Sequence, residues 1–263
     1  MNSFTHILYH ANCSDGFGAA YAAWKVLGER AEYLPVRHGD EPPELPAGAR
    51  VAVLDFSYSR PVLEALQERL AHFVVLDHHK SAQQDLAGLD YASFDMDKSG
   101  ARMAWEYWHP KAQLPALLAY VEDRDLWRWA LPDSREVSLA LQCYPLEFPL
   151  WDELSVEDLK QEGKAILRFQ SQQIARAVSR ARLTEVADFT VPVVNSCLFQ
   201  SEIGDDLCRL FPDAPFSAVY YLNQHNKQAW SLRSIGDFDV SEVARRFGGG
   251  GHRNAAGFAL SNP

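Results

Sequence analysis

Short apolar runs that stop on ionisable side chains recur through the first third of this chain. Val74-Val75-Leu76 ends on Asp77-His78-His79, Ile7-Leu8-Tyr9 ends on His10 and the loop Ala11-Asn12-Cys13-Ser14-Asp15-Gly16, and Val51-Ala52-Val53-Leu54 ends on Asp55. Runs this short, apolar and rich in β-branched residues predict strands buried on both faces. Between them the bulky positions fall at helical spacing. Phe17, Ala20, Tyr21, Trp24 and Leu27 predict a helix over 16–27, and the pattern over 60–70 predicts another with Pro61 in its first turn. Strand and helix therefore alternate over residues 6–80, the pattern of a parallel sheet with right-handed crossovers.

Helical patterns over 100–108 and 113–122 follow, then a passage over 126–151 rich in Pro and Trp with no clear period. Its aromatics read as packing groups, since Trp and Tyr mostly fill cores and interfaces; a base-stacking platform is the alternative. From 156 to 182 a polar helical pattern carries Leu159, Ile166, Leu167, Phe169, Ile174 and Val178 as its apolar face, and its length suits an interdomain connector. After it come candidate strands at 183–187, 191–195, 217–222 and 229–233, with helices at 201–210 and 240–247. The expected fold is α/β: an N-terminal parallel-sheet domain over 1–150, a helical connector over 151–182 and a smaller mixed α/β C-terminal domain over 183–263. No internal repeat and no low-complexity segment stands out.

A chain of 263 residues that is 47% hydrophobic can bury a real core in one large or two modest domains. The start, Met1-Asn2-Ser3-Phe4-Thr5-His6, lacks the basic and apolar character of a signal peptide, and no stretch approaches the roughly 20 apolar residues of a membrane span. A cytoplasmic location is expected. Cys13, Cys143, Cys197 and Cys208 lack the paired spacing of a zinc module, and a chain this long does not depend on disulfides for its core. The 35 acidic against 25 basic residues give a net charge of -10, which opposes binding to a long polyanion through many phosphate contacts. Any nucleic-acid substrate is expected to be short and gripped locally.

If the strands lie parallel and side by side, His10, Asp15, Asp55, Asp77, His78 and His79 meet in the crevice at their C-terminal ends, where open α/β sheets bind ligands. Tyr120-Val121-Glu122-Asp123-Arg124-Asp125 is a fourth contributor. Any single Asp among these is as well explained by a helix cap or a turn. The adjacent imidazoles after Asp77 are harder to explain that way, because buried imidazoles are difficult to satisfy. Carboxylates crowded into a partly dry cleft repel one another unless cations compensate, and divalent metal is the simplest compensation. A second feature is Gly248-Gly249-Gly250-Gly251-His252 ahead of Arg253-Asn254-Ala255-Ala256-Gly257. A glycine run lets backbone approach a partner closely and its N–H groups can cradle an anion; a flexible hinge is the alternative. Arg233, in Leu232-Arg233-Ser234, either adds a fixed cation for a phosphate or forms a surface salt bridge.

Taken together and in this order, these segments resemble the DHH phosphoesterase superfamily with its DHH-associated C-terminal domain, and the likeness, oligoribonuclease-like in character, covers nearly the whole chain. The superfamily includes single-strand exonucleases, hydrolases of short oligoribonucleotides, cyclic-dinucleotide phosphodiesterases and polyphosphate or pyrophosphate hydrolases. The resemblance implies a cleft with two manganese ions, closed by the smaller domain. It assigns His10 and Asp55 to one metal and Asp15, Asp55, His78 and Asp123 to the other, with Asp55 bridging. Asp77 then orients its neighbours and His79 contacts the scissile phosphate. In the smaller domain it assigns Arg233 and His252 to a nucleotide or terminal phosphate, with Gly250 and Gly251 as backbone donors and Asn254 as a further substrate contact.

One position departs from the pattern, and one ligand has a competitor. Cys13 stands where the first loop usually carries an aspartate two residues before Asp15; a thiolate also ligates metal but favours softer ions, and Asn12 or a water is the alternative. Asp125 competes with Asp123, which is preferred because it ends the apolar segment. The expected chemistry is metal-assisted hydrolysis of a phosphodiester in a short oligonucleotide or dinucleotide, by in-line displacement to mononucleotides without a covalent enzyme intermediate. Cyclic dinucleotides, nucleoside bisphosphates and polyphosphate are the alternative substrates. The rival of another class is a non-catalytic nucleotide-binding protein with a metal site altered at Cys13. A homodimer formed through the domain edges is compatible with the pattern.

Overall fold

The computed structural model describes residues 3–261; Met1 and Asn2, from the start read above, and Asn262 and Pro263 lie outside the described residues. The chain divides into two compact units, Met1–Leu167 and Arg168–Pro263. The first contains β1 (His6–His10), α1 (Ser14–Leu27), β2 (Glu32–Val36), β3 (Arg50–Leu54), α2 (Arg60–Gln67), β4 (His72–Asp77), α3 (Lys80–Asp85) and β5 (Ala92–Phe94). Four helices follow: α4 (Gly100–Trp108), α5 (Ala116–Asp125), α6 (Ser134–Leu141) and α7 (Phe148–Glu153). The five strands are all parallel, in the order β2-β1-β3-β4-β5.

Alternate residues of each strand feed separate cores. Ile7, Tyr9, Ala52, Leu54 and Leu76 pack with residues of α1, α4 and α5, whereas Leu8, Val51, Val53 and Val75 pack with Leu63 and Leu66 of α2. Each Val, Leu or Ile among them contributes about 1.5–3 kcal/mol on burial. Cover on both faces is why these strands read as unbroken apolar runs.

The pattern does not announce β2, α3 or β5. Pro35 interrupts β2, which tolerates it because the strand is at the sheet edge, where a missing N–H breaks no ladder. The other two are too short to show a period. Helix α1 starts two residues earlier than the periodicity predicts, because Cys13 Sγ accepts the Gly16 N–H at 3.1 Å and caps it. The helix predicted over 113–122 begins after Pro115 and continues to Asp125. The aperiodic passage holds α6 and α7, and the left-handed residues Trp127, Trp129 and Asp133 break its pattern.

Helix α8 (Val156–Val178) is the long polar helix, and the division between the units falls within it. The second unit continues with β6 (Arg182–Val186), β7 (Phe189–Asn195), α9 (Gln200–Leu210), β8 (Ser217–Leu222), β9 (Lys227–Arg233), α10 (Val240–Arg246), β10 (Gly250–His252) and β11 (Ala255–Ser261). Its sheet has the order β10-β11-β9-β8-β7-β6 and is mixed: β7 and β8 are parallel, the other neighbours antiparallel. One face packs Val193, Leu232 and Phe258 with Val240 and Val243 of α10; the other packs Val194 and Val219 with Ile203 and Leu207 of α9. The glycine run ends in a strand at the sheet edge. Gly251 has φ 139, and a Cβ there would lie 2.5 Å from the Ala255 carbonyl oxygen, so only glycine lets β10 pair with β11. The fold is α/β throughout, a parallel sheet followed by a mixed one. Among the described residues no helix is long and apolar enough to cross a membrane.

Candidate active site

Strands β1, β3 and β4 are adjacent and parallel, so their C-terminal ends deliver His10, Asp55 and Asp77-His78-His79 to one edge of the first sheet. The chain passes from β1 to β2 on one side while β3 lies on the other, and a crevice opens where the strand order reverses. Asp55 is at its centre. Its Oδ1 lies 3.0 Å from His78 Nε2, and its Oδ2 lies 3.5 Å from His10 Nδ1 and 3.4 Å from Cys13 Sγ. The Asp55 N–H donates to the Leu76 carbonyl at 2.9 Å, and its φ of 53° costs a non-glycine residue about 1 kcal/mol or more.

Asp15, in the first turn of α1, accepts the Gly100 N–H at 2.6 Å and the Ala101 N–H at 2.9 Å, and its Oδ2 lies 3.5 Å from His78 Nε2. Gly100 permits this crowding, since a Cβ there would come within 2.5 Å of Asp55 Cβ. Asp125 Oδ2 approaches the same His78 nitrogen at 3.5 Å from the cleft mouth, where its side chain is 31% exposed. Three carboxylates thus converge on one imidazole nitrogen.

Burial, Asp55 and Asp125 push the Asp15 carboxyl well above the usual carboxylate range. Burial also opposes charge on His78, yet Asp55, Asp125 and Asp15 together outweigh it and raise the pKa to about 10. Asp55 goes the other way: burial disfavours its charge, but His10 and His78 hold it well below its ordinary value. Without a cation, then, the cluster balances its negative charge by retaining protons. Asp77 Oδ1 accepts the backbone N–H groups of His78 at 2.7 Å and His79 at 3.2 Å, and the Nδ1–H of His79 at 2.6 Å. Its Oδ2 is buried with no hydrogen-bond partner among the described residues.

Asp123, preferred at the sequence level, does not join the cluster. Its Oδ1 accepts the Ala130 N–H at 2.9 Å, and its Oδ2 accepts the Leu131 N–H at 3.3 Å and the Ser134 hydroxyl at 2.5 Å. The carboxylate therefore ties the turn after α5 to the start of α6. Residues two apart on a helix point about 200° away from each other, so Asp123 and Asp125 cannot both face the cleft. The structure puts Asp125 there. Asn12 is exposed and left-handed, with φ 59°, and Cys13 is the loop residue that lies between His10 and Asp55.

Sequence reasoning missed His38. Its ring packs 5.0 Å from His10, 5.8 Å from His79 and 4.8 Å from Phe56. The signal was the same as elsewhere, an apolar strand running out on an imidazole in Val36-Arg37-His38, but Pro35 obscures the strand.

In the second unit, Arg233 of β9 lies opposite Ala255 of β11, which lies opposite His252 of β10. Opposed residues share a face, so Arg233 and His252 flank a small alanine. Arg233 Nη2 donates to Ser201 Oγ at 2.5 Å and Nη1 to Ser231 Oγ at 3.1 Å and the Leu232 carbonyl at 2.8 Å. Gly250 and Gly251 precede His252 in β10. Asn254 Nδ2 donates to Ser234 Oγ at 2.9 Å and the Gly236 carbonyl at 3.1 Å, so its amide pins the turn after β9.

A family model described as the DHHA1 domain matches residues 205–263. The chain is 32% identical to an uncharacterized protein of Acanthamoeba polyphaga mimivirus, over 97% of this chain and 67% of that protein. It is 26% identical to oligoribonuclease NrnB of Bacillus subtilis (strain 168), over 76% of this chain and 58% of that protein. The chain belongs to the DHH phosphoesterase superfamily. Its fold is also that of the pGpG-specific phosphodiesterase PggH from Vibrio cholerae, with a TM-score of 0.54 at 13% identity, over 98% of this chain and 93% of that one. The chain spans about two thirds of the first relative and 58% of the second.

DHH phosphoesterases are hydrolases that use divalent metals, and the donors of this member fit such ions. Three groups, His10 with Cys13 and Asp55, Asp15 with Asp55 and His78, and Asp55 with Asp77 and His79, each offer ligand atoms within 4.8 Å of one another. Carboxylate and imidazole donors suit divalent metal ions, and Asp77 Oδ2 leaves the cleft a buried acceptor that nothing among the described residues satisfies.

Proposed function

We propose that this DHH-superfamily chain is a metal-dependent phosphodiesterase that hydrolyses short oligonucleotides or dinucleotides to mononucleotides, with two divalent ions, manganese at the oxygen-rich position. The observation that carries the reading is the setting of Asp55, a single carboxylate whose two oxygens face two different donor groups, as a bridge between two cations requires. His10, Cys13 and Asp55 would hold one ion; Asp15, Asp55, His78 and Asp125 would hold the other. When bound, such a pair supplies Lewis acidity to a phosphoryl oxygen and makes water more acidic.

The chain's own groups do the rest. Asp77 Oδ1 fixes the His79 ring through Nδ1, so Nε2 is the nitrogen that His79 offers to the scissile phosphate. Burial opposes charge on that ring, but Asp77 outweighs it and raises its pKa, which favours a proton on Nε2 that would meet charge developing on the phosphate. Arg233 and His252, sharing one face, would grip a terminal phosphate or nucleotide, with backbone donors from Gly250 and Gly251. Asn254, whose amide nitrogen also pins the turn, would add a further substrate contact. The net charge of -10 and the oligoribonuclease name of the Bacillus subtilis relative both favour a short substrate.

The test is product analysis on labelled di- to decanucleotides with added manganese, beside a cyclic dinucleotide, a nucleoside bisphosphate and polyphosphate. Mononucleotides should appear fastest from the shortest linear substrates, and Asp55→Ala should abolish turnover. Undiminished turnover after that change would end the mechanism. Nucleotide binding without metal uptake or turnover of any phosphoester would establish the non-catalytic alternative.

A further inference from the structure

Three donor atoms at the end of β1 form a small triangle. Cys13 Sγ lies 3.5 Å from His10 Nδ1 and 3.4 Å from Asp55 Oδ2, and His10 Nδ1 lies 3.5 Å from Asp55 Oδ2. With Zn–S near 2.3 Å and Zn–N and Zn–O near 2.0–2.2 Å, a tetrahedral zinc ion sets edges of about 3.4–3.6 Å between such donors. All three sides have that length. The neighbouring group, Asp15 with Asp55 and His78, offers oxygen and imidazole nitrogen but no sulfur.

We propose that His10, Cys13 and Asp55 form a thiophilic metal position that takes zinc in preference to manganese, so that the two halves of the cleft differ in metal preference. This deepens the two-cation reading above and rests on it. Thiolate is a soft donor that favours zinc and disfavours manganese, whereas the carboxylate-rich position has no such bias. Binding breaks the Cys13 S–H bond, forms an S–metal bond and releases the proton to solvent, with no change in oxidation state.

The other duties of Cys13 do not account for a sulfur here. As the cap of α1 it accepts the Gly16 N–H at 3.1 Å, a role that serine or aspartate fills at least as well. It forms no disulfide. What cysteine adds over those residues is a soft atom between an imidazole and a carboxylate.

The experiment strips the full chain with chelator and titrates it with cobalt(II), a spectroscopic stand-in for zinc. A thiolate-to-cobalt charge-transfer band should rise in the near ultraviolet, disappear on adding an equal concentration of zinc, and survive about a tenfold excess of manganese. Cys13→Ser keeps the cap, should still bind cobalt at the second position, and should lose the band. Cys13→Asp should shift the zinc-to-manganese ratio retained after equilibrium dialysis, read by elemental analysis, toward manganese on the order of tenfold or more. Circular dichroism checks that both variants fold; should they not, the absence of the band in the wild-type chain still overturns the proposal. Cobalt taken up without a charge-transfer band, or a band that persists in Cys13→Ser, overturns the thiophilic position while leaving the phosphodiesterase reading intact. Failure to bind cobalt or manganese at all overturns both.

Discussion

Replacing Gly100 with alanine is a stringent test of the cleft, because it removes no candidate ligand and adds one methyl group. That carbon would lie 2.5 Å from Asp55 Cβ, 2.9 Å from Asp55 Cγ and 3.0 Å from Asp15 Oδ2. Carbon atoms pack comfortably at about 3.5–4.0 Å, so an overlap of about 1 Å has to be relieved. Neither neighbour is the loose end of a flexible side chain. The Leu76 carbonyl anchors Asp55 through its backbone, and the N–H groups of Gly100 and Ala101 anchor the Asp15 carboxylate. Either Asp55 is displaced or the start of α4 retreats and strips Asp15 of its donors.

A shift of about 1 Å at a positioning group costs on the order of 10²-fold in rate. The overpacking itself costs about 1–3 kcal/mol, which in a unit of this size lowers Tm by about 2–4 °C per kcal/mol. The assay is manganese-dependent hydrolysis of a dinucleotide, with kcat and KM resolved, alongside calorimetric melting. Gly100→Ala should lose most of kcat and several degrees of Tm while keeping its circular dichroism spectrum. Turnover within about twofold of the parent would refute the claim that these carboxylates are closely confined.

Asp125→Asn and Asp123→Asn should separate cleanly. The first should weaken metal binding by calorimetric titration with little change in Tm, whereas the second, which supports three hydrogen bonds at the turn into α6, should cost about 1.5–3 kcal/mol of stability; the reverse outcome would return the ligand role to Asp123. The pH dependence has a definite sign in the metal-free chain, since His78 titrates at about 10 against an ordinary value of 6.5. Over that interval the folded state holds more protons, so the stabilisation is complete below about 6.5 and is lost as pH rises through about 10. Thermal melts of the chelated chain should decline across this window more steeply than those of His78→Gln, and parallel profiles would contradict the assignment.

What the sequence made legible follows from where the apolar residues are buried. β1, β3 and β4 are covered on both faces and end on charged groups, so His10, Asp15, Asp55, Asp77, His78 and His79 could be found without coordinates. Asp125 was harder, because choosing it over Asp123 requires the rotational phase of α5, and an all-apolar approach to the helix end does not reveal that phase. His38 lay behind a proline in an edge strand. In the second unit, glycine hid β10 by removing the side-chain signal that marks a strand, although the same glycine lets the two backbones pair. Short range thus decided what could be read: the missing pieces depend on a register or a helical phase that only neighbouring elements fix.

The left-handed backbone at Asp55 bears on how this protein can change. Glycine would relax that torsion by about 1 kcal/mol, but it would also strip the buried His78 of the carboxylate 3.0 Å away that holds its proton, a loss of about 3–5 kcal/mol in the metal-free chain. Durability and chemistry therefore both keep aspartate at this position despite its strained torsion. A thermostability campaign that replaces left-handed residues with glycine by rule would lose fold and function together here.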